Sequence, residues 1–334
     1  MKHICVLPGD GIGPEVIEAA VTVLRAASDE LEFEYAEIGA AARDGTGSYL
    51  PDETMELMRK SDSCLFGAVT TPPTPDYDSP VLRFRKELDL FANVRPIRSI
   101  VKQLPRPPID AVIIRENTEG LYTQNEVFDD EGVTTLRKVT RKGCERIVGF
   151  AIDYARAHAR KHISCVHKSN VLRASDGLFV QVFRQIADSK GEGLTFDDQF
   201  VDSAAMKLVT NPSKFDVIVT LNLYGDILSD VAAGVAGGLG FAPSGNIGNK
   251  HSVFEPAHGS APDIAGNDVA NPTAAILAGA MMLEHLGLTS SADVIRGSVS
   301  SVYASGHLTI DVGGRHGTRS FAKHVADLVS ASTE

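Results

Sequence analysis

The stretch that most constrains this chain is Thr220-Leu221-Asn222-Leu223-Tyr224-Gly225-Asp226-Ile227-Leu228-Ser229-Asp230. It follows Phe215–Val219, whose apolar run reads as a buried strand. Gly225 breaks the strand pattern, and the spacing predicts a helix starting near Asp226. Such a helix puts Asp226 and Asp230 on one face, a turn apart. Like charges at that spacing cost a helix about 0.2–0.5 kcal/mol unless a cation lies between them. No Lys or Arg occurs between Lys214 and Lys250, so the segment supplies no counter-charge. A solvated acidic face is one reading, with Asp226 near the helix N-terminus where the dipole favours it. The flanking Ile227, Leu228, Val231, Ala232 and Ala233 leave few polar neighbours. They favour a hard divalent cation, Mg²⁺ or Mn²⁺, held through oxygen.

A chain of 334 residues is too long for one ordinary core and predicts two domains. Its 43% hydrophobic and 22% charged residues suit a soluble globular enzyme. The net charge of −11 argues against nucleic acid and anionic membranes as partners. Anionic small substrates stay open wherever arginines concentrate locally. Cys5, Cys64, Cys144 and Cys165 have no paired spacing, so neither zinc nor a disulfide framework is indicated. The opening Lys2–Leu7 is strand-like rather than a targeting signal, and no run of 18 apolar residues exists. The expectation is a cytoplasmic protein.

The first strand leads through Pro8-Gly9-Asp10-Gly11-Ile12-Gly13-Pro14-Glu15 into a helix from about Val16. This is a poor dinucleotide fingerprint. Pro14 stands where a third small residue belongs, and Glu15 puts negative charge where a pyrophosphate would sit. The segment reads equally as a tight turn or a ligand loop, and not as a Rossmann site. A loop over 71–80 carries four prolines, and a helix is predicted over 81–90. Arg85, Arg95 and Arg115 fall at predicted element ends, where an α/β sheet presents ligands. Guanidinium forks hold carboxylates bidentately, so the three together point to a polycarboxylate pocket. Lys168 follows the strand-like Ile163–Val166; near arginines and away from water its pKa would fall toward a general-base range. Asp202 ends another predicted strand, 196–201, as a third metal or proton-relay carboxylate. The long irregular loop 252–266 reads as functional.

Taken in order, these segments resemble the β-decarboxylating dehydrogenases that act on isopropylmalate, homoisocitrate, isocitrate or tartrate. The matching stretches are Pro8–Glu15, Arg85 with Asn93-x-Arg95-Pro96, Arg115–Tyr122, His167-Lys168-Ser169-Asn170, Asn222–Asp230 and Phe254–Asn271. They span nearly the whole chain. The resemblance implies an α/β, two-domain isopropylmalate/isocitrate dehydrogenase-like fold with a continuous mixed sheet flanked by helices, not a Rossmann fold. Residues 1–93 and 238–334 would form the cofactor domain and 94–237 the substrate and dimerisation domain. It implies carboxylate binding by Arg85, Arg95 and Arg115, an acid–base pair Tyr122 and Lys168, and Mg²⁺ or Mn²⁺ on Asp202, Asp226 and Asp230. Asp202, also a substrate contact, and Lys168 would come across the interface of a homodimer with shared active sites, a tetramer being the larger alternative.

The same resemblance places NAD on the loop His258, Gly259, Ser260, Ala261, Asp263, Ile264 and Asn271. Asp263 would bond the ribose hydroxyls and repel a 2′-phosphate, so NAD is expected over NADP. Val81 and Leu82, four and three residues before Arg85, would meet the variable group of the substrate, and their apolar side chains favour isopropylmalate. Ser79, Arg83 and Asn117-Thr118-Glu119-Gly120 keep homoisocitrate and isocitrate as alternatives. A non-catalytic ligand-binding paralogue is the reading from another class, against which the intact set of Lys168, Tyr122, Asp226 and Asp230 argues.

Overall fold

A computed structural model describes every residue except Pro73, Pro75, Asp76, Gln103 and Glu334, and of Thr333 the backbone alone. The expected proline-rich loop 71–80 therefore lies partly outside the described residues. The chain forms two compact units, Met1–Leu88 with Ile100–Pro105 and Gly237–Glu334, and Asp89–Ser99 with Arg106–Ala236.

The first unit opens with β1 (Lys2–Gly9), α1 (Gly13–Ala27), β2 (Leu31–Tyr35), α2 (Ala40–Thr46), α3 (Asp52–Lys60), β3 (Ser63–Ala68) and α4 (Pro80–Glu87). The second runs through β4 (Ala92–Arg98), β5 (Asp110–Glu116), β6 (Glu126–Asp129), β7 (Gly132–Thr135), α5 (Arg141–Ala157) and β8 (His162–His167). It continues with α6 (Ser175–Lys190), β9 (Thr195–Phe200), α7 (Val201–Thr210), β10 (Val217–Thr220) and α8 (Asn222–Ala236). The chain returns to the first unit as β11 (Pro243–Ile247), β12 (Ser252–Pro256), α9 (Thr273–His285), α10 (Thr289–Ala304) and α11 (Thr318–Thr333).

In the first unit the strands lie in the order β2-β1-β3-β12-β11, parallel except for β11 against β12. Val16, Ile17, Leu24, Ile276, Leu283, Ile295, Val299, Phe321 and Val325, from α1, α9, α10 and α11, are fully buried in one core. Each side chain so buried contributes about 1.5–3 kcal/mol. In the second unit the order is β4-β5-β10-β8-β9, with β4 antiparallel to β5 and the rest parallel. β6 and β7 form a separate hairpin. Among the described residues no helix is long and apolar enough to cross a membrane.

Three expectations need correction. Residues 89–93 pack in the second unit, where Phe91 sits edge-on to Phe150 at 5.9 Å and Arg146 pairs with Asp89 at 2.7 Å. Residues 100–105 return to the first unit because Val101 is buried in its core. The helix predicted over 81–90 stops at Glu87, ahead of Asp89 with φ of +48°.

Candidate functional site

Antiparallel pairing of β4 with β5 sets Asn93 opposite Arg115 and Arg95 opposite Ile113. Residues directly opposite share a sheet face, so Arg95 and Arg115 project from the same face. Arg95 thus stands in the middle of its strand rather than at the expected end. α8 packs against β4 and β5. It begins at Asn222, a full turn before the predicted start. Gly225 is helical, and a Cβ there would lie 2.5 Å from Cγ of Arg115. The glycine admits the arginine stem instead of breaking a strand.

The local counter-charge missing from the segment comes from these two strands. Arg115, 1% exposed, donates to Asn222 Oδ1 from Nε at 3.0 Å and Nη2 at 2.8 Å, and its Nη1 pairs with Asp226. Arg95 Nη1 lies 3.4 Å from Asp226 and 3.7 Å from Asp230, and it donates to Ser229 Oγ at 2.6 Å. Asn93 Oδ1 accepts from Arg95 Nε at 2.8 Å. The Tyr122 hydroxyl, on the one-turn helix Leu121–Thr123, donates to the other oxygen of Asp226. The Arg115 guanidinium carbon stands 4.9 Å from that ring's centroid. Arg95, Arg115, Tyr122, Asp226 and Asp230 therefore form one cluster. Burial raises the Asp230 carboxyl, the Asp226 charge adds to this, and the two arginines oppose it. An additional cation would relieve that residual strain. The oxygen-only donors of Asp226 and Asp230 fit Mg²⁺ or Mn²⁺.

Lys168 and Asp202 form a second pair. Asp202 sits in the first turn of α7 rather than at the end of β9. The Lys168 ammonium holds its carboxyl below the usual aspartate range. Lys168 faces this carboxylate with its side chain 26% exposed, not the arginines and burial expected of it. The Lys168 N–H donates at 2.7 Å to the fully buried Asp176, which also pairs with Arg137.

In the first unit, Arg85 is buried and donates to Glu255 at 3.0 Å, while its Nε has no hydrogen-bond partner among the described residues. Val81 and Leu82 are half-buried. Gly9 and Gly11 have φ of +74° and +59°, and a Cβ on either would lie 1.9 Å from a carbonyl oxygen, of Ala68 and Ser260 respectively. Pro8–Glu15 is thus the end of β1, a tight turn over residues 10–12 and the start of α1, closed against these two segments where Asp10 accepts from the N–H of Ala40 and of Thr70, both at 2.8 Å.

Ser260 is buried against Thr70, Ala261 has φ of +36°, Asp263 is exposed, and Gly259 has open space where a Cβ would stand. Ile264 is half-buried. His258 Nε2 is buried without a hydrogen-bond partner among the described residues, and burial lowers its pKa, which keeps the ring neutral. An orphaned ring nitrogen in this loop fits a ligand that brings its own polar edge, as an adenine dinucleotide does. Asn271 is engaged internally, with Asp311 at 3.0 Å and the Thr273 N–H at 2.9 Å. Asn93, Asn222, Ser229 and Glu255 received no role from the sequence. Asn93 could have been found from its place two residues before Arg95, on the same strand face.

The family model described as isocitrate/isopropylmalate dehydrogenase matches residues 3–329. The chain is 46% identical to the "3-isopropylmalate/3-methylmalate dehydrogenase" of Methanocaldococcus jannaschii, over 98% of this chain and 99% of that protein. It is 43% identical to the "Homoisocitrate dehydrogenase" of the same organism, over 98% of each. The crystal structure of isocitrate dehydrogenase from Methylococcus capsulatus superposes with a TM-score of 0.95 at 42% identity, covering 99% of this chain and 100% of that one.

Proposed function

Because the chain belongs to the isocitrate/isopropylmalate dehydrogenase family, we propose that it oxidises and decarboxylates a 2-hydroxy-3-carboxy acid with NAD⁺, 3-isopropylmalate first among the candidates. The observation that carries the substrate choice is how Arg83 and Ser79 are engaged. Arg83 donates to Glu87 at 2.8 Å, to the Leu50 carbonyl at 2.7 Å and to Asp52 at 2.7 Å. Ser79 caps α4 by accepting from the Leu82 N–H. Both polar departures thus hold α4 in place, and Val81 and Leu82 remain as its apolar pair before Arg85. An alkyl group packed on them contributes about 1–3 kcal/mol of discrimination. Homoisocitrate or isocitrate is the rival reading, supported by relatives of those names at similar identity.

Arg95 and Arg115, with Arg85, would fix the substrate carboxylates; guanidinium groups stay charged at any working pH. Asp226 and Asp230, with Asp202 from a second subunit, would hold the divalent cation. When bound, NAD⁺ supplies the hydride acceptor and the cation the Lewis acid. Lys168 would take the hydroxyl proton, and Tyr122 would return one to the carbon that loses CO₂. Asp263 on the His258–Asn271 loop would bond the ribose of NAD⁺ and disfavour NADP⁺. Val127, Phe128 and Val133 of the β6–β7 hairpin are largely exposed apolar residues, which supports a homodimer.

The test is steady-state NADH production with Mg²⁺ on 3-isopropylmalate, homoisocitrate, isocitrate and tartrate. A kcat/KM about tenfold or more above the others for isopropylmalate bears the reading out, as a buried alkyl pocket allows. Preference for a tricarboxylate overturns the substrate and leaves the chemistry standing.

A further inference from the structure

We propose that the first unit carries a second cation site, distinct in its residues from the aspartates: a three-imidazole site for Zn²⁺ or a similar transition-metal ion, formed by His307, His316 and His324. His307 lies just past α10, His316 two residues ahead of α11, and His324 in the second turn of α11. One ligand nitrogen from each lies within 4.8 Å of the other two, and among the described residues no other three His, Cys, Asp or Glu side chains converge in this way. His307 Nδ1 and His316 Nε2 are 3.1 Å apart, and the ring of His324 is centred 4.2 Å from that of His307 and 5.1 Å from that of His316.

Four-coordinate zinc holds imidazole nitrogens at about 2.0–2.1 Å, so its ligand atoms sit about 3.4 Å from one another. The three nitrogens, within 4.8 Å of one another, would close to that spacing around a bound ion. An all-imidazole set suits Zn²⁺, Cu²⁺ or Ni²⁺ and not Mg²⁺ or Ca²⁺. The three rings are half-buried, which leaves one side for water as a fourth ligand.

The backbone holds the cluster ready. The His307 N–H donates to the Val302 carbonyl at 3.2 Å, and the His316 N–H to the Leu308 carbonyl at 3.1 Å. His316 also bridges Thr309, and a Cβ on Gly314 would lie 1.9 Å from the Leu308 oxygen, so the turn between the two histidines is tightly closed. Burial lowers the His316 pKa, and His307, His324 and Arg315 add to the shift.

The full-length chain, stripped with chelator and titrated with ZnCl₂ against a chromophoric competitor, tests the site. One equivalent per chain is expected whose affinity falls by about 10–100-fold or more in His316→Ala and in His324→Gln, since even an outer partner of a metal ligand is worth that much. The affinity should be unchanged in Asp226→Asn. With Mg²⁺ in large excess to occupy the aspartates, zinc should raise the Tm of the wild type and not of the histidine variants. Absence of saturable binding, or binding that survives both histidine changes, overturns the proposal. So does binding that Asp226→Asn removes.

Discussion

The Cα of Gly225 lies against the aliphatic stem of Arg115, close enough that an added methyl would stand 2.5 Å from Cγ and 2.6 Å from Cβ. Arg115 is fully buried, so it cannot swing aside without breaking its bonds to Asn222 and Asp226. Gly225→Ala should therefore cost about 1–3 kcal/mol of stability through overpacking. Misplacing the guanidinium by about 1 Å should lower kcat/KM about 100-fold. Denaturant unfolding and steady-state kinetics check the two effects, and a variant with unchanged kinetics would remove Arg115 from the proposed carboxylate site.

Asp216 precedes β10 and accepts the N–H of Lys161 at 2.6 Å, the N–H of His162 at 3.1 Å and Arg160 Nη1 at 3.0 Å. Burial alone would raise its carboxyl, but these donors outweigh burial and hold the pKa below the ordinary aspartate value. A depressed folded-state pKa gives stability that is present above the unfolded value and lost as pH falls through the folded one. Asp216→Asn should lower stability by about 1–3 kcal/mol at neutral pH. The gap to the wild type should begin to narrow below about pH 4, where the unfolded carboxyl takes up its proton, and close as pH falls through the lower folded-state pKa. Urea melts from pH 3 to pH 7 measure both, and a gap independent of pH would contradict the ionic origin.

The four cysteines are buried. The Cys5 side chain and burial raise the Cys64 thiol; burial raises that of Cys165 and pushes Cys144 up to about 12. Because the thiolate is the reactive form, a chromogenic disulfide reagent at pH 8 should find no thiol in the native chain and four after unfolding. Fast labelling of the native protein would mean that the element holding the labelled cysteine, β1, β3, α5 or β8, opens locally.

Much of the candidate site was legible because its signals are local. The four-residue spacing of Asp226 and Asp230 survives as one helix face, and Arg115 does lie near the end of its strand. What escaped depends on pairing between distant segments. No composition or period indicates that β4 runs antiparallel to β5, so neither the mid-strand place of Arg95 nor the counter-charge it brings to Asp226 could be read. Gly225 was misread for the same reason, since its cause is a side chain 110 positions earlier. Nor does any local signal indicate that Arg83 bonds Asp52 and Glu87, or that Ser79 accepts from the N–H of Leu82 at the start of α4. The three histidines stand nine and eight residues apart, outside any metal-ligand spacing, and only the turn after α10 joins them.

Lys168 is held at its backbone by Asp176 and at its side chain by Asp202. As the proposed base it should be indispensable to turnover, while the residues proposed for NAD⁺ are those of the His258–Asn271 loop. Lys168→Ala should cut kcat by about 10²–10⁴-fold, the range of a lost general base. Titration calorimetry should find its NAD⁺ affinity close to that of the wild type. Asp176→Ala tests the support beneath it. The change leaves Arg137 without its buried partner and should cost about 3–5 kcal/mol of stability. It should lower kcat while leaving the pH at which kcat rises where it was, since Asp176 positions the base without exchanging the proton. A Lys168→Ala enzyme with normal turnover would move the base to another residue, and loss of NAD⁺ binding in that variant would show that Lys168 supports the fold instead.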